Sequence, residues 1–126
     1  MKLQEIIARI ETIPELAGKV QVGMPAQMES LGGAPYCWIT NLLEIAGDSP
    51  VTGPVRQKVT LKLELTIGAR NVTDTLSIRD KVKTALLNYA PDNNYSLMQF
   101  RVGKFEFGDP GWVLWRDEFE TNYMLT

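Results

Sequence analysis

Leu3, Ile6, Ile7 and Ile10, with Ile13 beyond them, recur at the spacing that gathers apolar side chains on one stripe of a helix. Residues 2–12 are therefore expected to form an amphipathic helix that needs another element over its stripe, and Pro14 ends it. "GKVQVG" reads as a short strand, and "MPAQMESLGGAP" (24–35), with its Pro, Gly and small polar residues, reads as a loop. "YCWITNLLEIA" (36–46) is nearly continuous in apolar, strand-favouring residues, which predicts a central strand covered on both faces. "GDSPVTGP" (47–54) is turn chemistry throughout.

The longest alternation follows in "PVRQKVTLKLELTIGAR" (54–70). Val55, Val59, Leu61, Leu63, Leu65 and Ile67 share one parity, broken only by Gln57; Arg56, Lys58, Thr60, Lys62, Glu64 and Thr66 occupy the other. A strand with this pattern has one face in the core and one wet, mostly cationic face. "NVTDTLSIRDKVKTALLNYA" then returns to helical spacing through Ile78, Val82, Ala85, Leu86 and Tyr89, predicting a second helix over 72–89 with Asn71 or Thr73 as its cap. Pro91 and "DNN" close it.

The C-terminal stretch alternates twice around "GDPG", the pattern of a β-hairpin. In its first arm the apolar phase changes, from Met98, Phe100 and Val102 to Phe105 and Phe107, so a bulge is expected at Gly103-Lys104. In its second arm Val113, Trp115, Phe119, Tyr123 and Leu125 point one way and Arg116, Glu118, Glu120 and Asn122 the other; Asp117 breaks the apolar parity. The pattern as a whole predicts an α+β fold: a mixed, mainly antiparallel sheet of about four to five strands, two helices on one face, and a long terminal hairpin.

Length and charge narrow this picture. The chain of 126 residues is expected to be one domain, 1–126, with a single core. Its 13 Lys and Arg against 15 Asp and Glu give a net charge of −2, without the cationic excess used to bind phosphate backbones, so no direct nucleic-acid readout is expected. The N-terminus lacks the continuous apolar core of a signal peptide and no run is long enough to span a bilayer, so intracellular production and no membrane partner are expected. Asn71-Val72-Thr73 fits the glycosylation triplet, yet in this setting reads as a helix start.

Candidate chemistry is sparse. The single cysteine, Cys37, lies in an apolar run as a buried thiol, and the chain has no histidine to act as its base. Without His or Cys clusters no metal is expected; Glu11, Glu15 and Glu29 show no calcium-loop spacing, and Gly32-Gly33 lacks the Lys-Ser/Thr of a phosphate loop. No cofactor and no catalytic residue is assigned. Asp117 with Glu106 would be a carboxylate pair if the hairpin brought them together, against the simpler reading of cross-strand ion pairs with Arg116 or Lys104. Trp115 reads as core, whereas Trp112, beside the turn, is the better candidate for a contact with another chain.

The remaining candidates are contact residues. Arg56, Lys58 and Lys62 make the polar face of the long strand cationic, while Glu118 and Glu120 against Arg116 make that of the last strand acidic. As neighbours in one sheet these strands would pair their charges directly; on opposite flanks they would let unlike patches meet between subunits, head to tail, around a ring. Met24 and Met28 join this interface set as adaptable contacts, or else pack beneath the loop.

The order helix, short strand, Gly/Pro loop, two strands, helix and hairpin resembles the tail-terminator and tail-completion proteins of long-tailed bacteriophages, the U-type minor tail proteins included. "IETIPELAGKVQVGMP", "GAPYCWI", "NVTDTLSIRDKVKTALL" and "GDPGWVLWRDEFETNYML" carry the resemblance, which covers most of the chain. It implies a non-enzymatic virion structural protein, assembled in the host cytoplasm as a ring homo-oligomer, commonly a hexamer. Such a ring caps the tail tube protein, ends its polymerisation and offers a joining surface to the head connector or neck protein. The loops at 23–34 and 46–54 are the segments expected to meet the tube or a ring neighbour. The alternatives are a head-tail connector or neck protein and, from a different class, a small ligand-binding module or enzyme using Asp117, Glu106 and Trp112 around a pocket.

Overall fold

The computed structural model describes residues 2–28, 31–47, 57–107 and 111–125, the side chains of Phe107 and Leu125 excepted. Among them, helix α1 (Leu3–Ile10) is followed by a short 3-10 turn (Pro14–Leu16), strands β1 (Val20–Val22), β2 (Tyr36–Ala46) and β3 (Gln57–Ala69), helix α2 (Val72–Leu86), and strands β4 (Gln99–Phe107) and β5 (Val113–Leu125). The strands form one mixed sheet in the order β1-β2-β3-β5-β4, in which only β1 and β2 run parallel. The α+β class and the C-terminal hairpin read from the sequence are both present.

Parity decides which side chains enter the core. Val59, Leu61, Leu63, Leu65 and Ile67 of β3 are buried with Ile6 and Ile10 of α1, Ile78, Val82 and Leu86 of α2, and Phe119 of β5. Both helices thus lie on one face of the sheet. Full burial of each such side chain contributes about 1.5–3 kcal/mol, which is what holds the amphipathic α1 on a domain it could not join by helix propensity alone. Asn71 caps α2 by accepting from the Asp74 backbone N–H at 2.8 Å, the helix start expected of that residue. The helix stops earlier than its periodicity suggests: Leu87 leaves the helical region and Asn88 turns the chain with φ 61°, so Tyr89 reaches the core from the following turn.

Two further expectations are corrected. The phase change in β4 occurs two residues before the glycine, between Phe100 and Val102, and leaves Val102 56% exposed while Phe105 returns beside Trp115. A β-bulge inserts one unmatched residue, here Arg101, and swaps the faces after it. In β2, only Tyr36 to Ile39 are buried. The short β1 pairs with Cys37, Trp38 and Ile39 alone, so from Asn41 onward β2 is an edge strand with Leu43 and Ile45 exposed.

Candidate functional site

The face of the sheet opposite the helices is closed at one end and open at the other. At the closed end Trp38, Tyr36, Trp112, Leu114 and Met28 form a second, smaller apolar cluster, with Met24, Leu31 and Ala34 of the 23–35 segment packed against it. Tyr36 stacks on Trp38 at 5.7 Å, and Trp38 meets Trp112 edge-on at 5.8 Å. Gly68 makes room for this plug, since a Cβ there would lie 2.7 Å from the Trp38 ring and 2.8 Å from Leu114. Arg70 covers the outer side of Trp112, its guanidinium 4.3 Å from the ring centroid. Among the described residues the Trp38 indole N–H meets no acceptor.

Away from the plug the same face carries charge. β3 and β5 are adjacent and antiparallel, and their register sets Lys62 across from Glu120, Glu64 across from Glu118, Thr66 across from Arg116 and Lys58 across from Met124. The acidic and cationic faces are therefore neighbours within one subunit, not patches on opposite flanks. Direct pairing across the register is not how the charges are used, however. Glu120 is taken by Arg101 from the β4 bulge, with Nε at 3.0 Å. Arg116 bridges Glu64, at 3.7 Å, and Glu106, which it touches as an ion pair without hydrogen-bond geometry. A shallow depression of about 300 Å³ between Glu64, Val102, Lys104, Glu106, Arg116 and Glu118 marks the centre of this charged surface. Thr40 binds Glu64 at 2.7 Å and Thr66 at 3.0 Å, fastening the charged region to the rim of the plug.

Each residue singled out in the sequence now has a place. Lys58 is exposed, while Lys62, Arg116, Glu118 and Glu120 are half-buried on the open face. Arg56 lies outside the described residues, as does most of the 46–54 loop. Trp112 and Met28 are each 4% exposed, so the expectation of Trp112 as a free contact beside the turn is corrected: the aromatic plug absorbs it. Met28 packs beneath its own loop for the same reason, and Met24 is half-buried at the plug's margin.

Asp117 is where the sequence reading missed a partner. It is fully buried on the helix-covered face, where Arg79 of α2 donates from Nε to both carboxylate oxygens at 3.0 and 2.8 Å, and the Trp115 indole N–H donates to Oδ1 at 2.9 Å. Arg79 also lies 4.3 Å from the Trp115 ring centroid. Gly103 is the space this cluster needs: a Cβ there would stand 2.4 Å from Asp117 Oδ1. Glu106 points to the other face, where it makes the expected cross-strand ion pair with Arg116, so the Asp117–Glu106 pair is overturned and Asp117 takes its cation from α2 instead of a neighbouring strand. Arg79 sat unremarked in a polar helix stripe; the signal for it was Asp117 on an apolar parity, which demands a cation from whatever covers that face.

The other titratable group drawing attention, Cys37, is completely buried under the helices, and burial pushes its thiol up to about 12, leaving it protonated and unreactive at neutral pH. Among the described residues no group of His, Cys, Asp and Glu is placed to hold a metal ion, and no helix is long and apolar enough to cross a membrane.

The domain is an α+β sheet with helices on one face and an ion-paired surface on the other. Comparison with known proteins agrees with that class. The family model described as phage tail terminator protein matches residues 1–126, and the chain belongs to that family. It is also similar in fold to a chain from the virion of a native gene transfer agent particle, with a TM-score of 0.67 at 12% identity, covering 98% of this chain and 92% of that one. No curated protein matches it. The chain is thus a phage tail structural protein.

Proposed function

We propose that this protein caps the end of the tail tube as a ring, stops tube polymerisation and presents a joining surface to the head connector, without catalysing a reaction. The observation that carries this reading is the family match over the whole chain. The fold supports it physically: a rigid helix-backed sheet offers one broad face, laced with Lys58, Lys62, Arg116, Glu118 and Glu120, to a protein partner of mixed charge. Surfaces of this kind select partners and orient them more than they add affinity. Arg56 and the loops at 23–34 and 46–54 belong to the same proposal, and assembly in the host cytoplasm goes with it.

The test is to add the protein while tail-tube subunits polymerise. Tubes shortened in proportion to the protein added, with extra density at one end in negative stain, are expected. Tubes of unchanged length with bare ends would reject the reading. Replacing Lys58→Glu and Lys62→Glu together is expected to weaken capping in a salt-dependent way while the far-ultraviolet circular dichroism of the monomer stays the same.

A further inference from the structure

β3 and β5 are neighbours in one sheet, so their cationic and acidic faces are not the unlike patches on opposite flanks that a head-to-tail contact requires. The sheet has another place for it. Among the described residues, no strand pairs with the outer edge of β4, and none pairs with β2 beyond Ile39. Each free edge presents unpaired backbone N–H and C=O groups, a template for a further strand. Following the antiparallel pairs from β2 to β3, β5 and β4 makes β2 and β4 opposite in direction.

We infer that Asn41–Ala46 of one copy pairs antiparallel with the free edge of β4 in the next copy, extending the sheet from subunit to subunit. This rests on the reading of the chain as a ring-former. Three observations select this occupant. Polarity is the first: two copies related by a rotation along the sheet bring a β2 edge to a β4 edge with the strands already antiparallel. The second is the side chains on the open face. Leu43 and Ile45 at one edge and Val102 at the other are 47%, 43% and 56% exposed, apolar residues that no described residue of their own subunit covers. Pairing that keeps both open faces on one side sets Val102 against Ile45 with Lys104 against Leu43, or Val102 against Leu43 with Lys104 against Asn41. Either register covers apolar surface at both edges.

Charge is the third. Lys104 stands on the open face of the β4 edge, with Arg101 beside it already paired with Glu120. Glu44 stands on the helix side of the β2 edge and accepts from the Tyr123 hydroxyl at 2.9 Å, so these charges decide which edges repel and form no direct ion pair. Joining β4 to β4 brings cations together, and joining β2 to β2 brings Glu44 toward its own copy. Unlike edges are favoured, and a contact between unlike edges is heterologous, the kind that propagates into a closed ring or a filament. The bulge at Arg101 and the cation at Lys104 also discourage indiscriminate strand addition at β4, leaving it for a partner of the right sign.

Cysteine cross-linking tests this directly, because the native Cys37 is buried and does not compete. Val102→Cys is combined with Ile45→Cys in one chain and with Leu43→Cys in another, and each concentrated protein is oxidised mildly. A ladder of cross-linked oligomers from one of the double variants, with none from any single variant alone, is the expected result. Mixing the two single variants of the productive pair should give dimers only. Cross-links within a single variant would show a like-with-like contact and overturn the inference, as would the absence of cross-links from both double variants. Rings or capped tubes seen by microscopy without such cross-links would overturn the edge pairing and leave the terminator reading standing; cross-linked oligomers that never shorten a tube would do the reverse.

Discussion

The two faces of the sheet are built on different rules. Under the helices, β3 and β5 contribute a mostly apolar parity, interrupted by Gln57, Asp117 and Thr121, and the buried charge of Asp117 is neutralised by Arg79 and held by Trp115. On the open face the buried apolar residues gather at one end as an aromatic plug, and the rest is largely charged, with Leu43, Ile45 and Val102 exposed toward the sheet edges. A face that must be dry is specified by periodicity along each strand, because alternate positions are buried along most of β3 and the middle of β5. A face that is only partly closed is specified by a few large residues and one glycine, Gly68, whose missing side chain admits them.

The sharpest way to break this comparison is to truncate one aromatic from each side. Phe119→Ala removes a fully buried ring from the helix-side core and is expected to cost about 3–5 kcal/mol in urea unfolding, with cooperative loss of the whole domain. Trp112→Ala removes a comparable bulk from the plug, where only the 23–35 segment and the strand ends collapse around it. A smaller loss is expected there, with hydrogen exchange quickened in Tyr36–Ile39 and the loop but unchanged in α1 and α2. Equal losses with the same exchange pattern would mean that the two clusters are one core.

Asp117→Asn sets a single charge against a single face. The amide keeps the volume but gives up a charged acceptor for Arg79, so the expected cost is about 1.5–3 kcal/mol. Gly103→Ala should disturb the same cluster from the strand side, and the double variant should lose less than the sum of the two, since both act on one network. Additive losses would separate Gly103 from the ion pair.

Most of the helix-side face was legible in the sequence: the parity of Val59 to Ile67, the stripe of α1 and the Asn71 cap all carry local signals that tertiary packing then obeys. The open face was much less so. β2 looked central because its run of apolar residues is continuous, but how much of a strand is covered depends on how long its neighbour is, and β1 stops at Val22. The β4 phase change announced a bulge without locating it, since Gly103 serves the Asp117 cluster and Arg101 supplies the extra residue. Trp112 was misjudged because it lies beside a turn, where spacing says nothing about burial, whereas for Met28 the packing beneath its loop offered by the sequence is the arrangement found. Whether β3 and β5 were neighbours was a matter of strand order, which no local pattern encodes.

The smallest expected effect tests whether the open face serves stability at all. Lys62 faces Glu120 across the register, yet Glu120 is bound by Arg101 and Lys62 stands in no ion pair among the described residues. Lys62→Glu therefore sets a like charge opposite Glu120 without removing an existing bridge. Cross-strand charge pairs contribute about 0.2–1 kcal/mol, and a half-exposed site with Arg101 at hand to screen the new charge belongs at the low end of that range. Urea midpoints measured in low and high salt should differ from the parent only slightly, and less in high salt, while capping of tail tubes falls far more. A stability loss as large as that of Asp117→Asn would make the charged face part of the fold's own support, and the contrast between a face built to fold and a face left for a partner would fail.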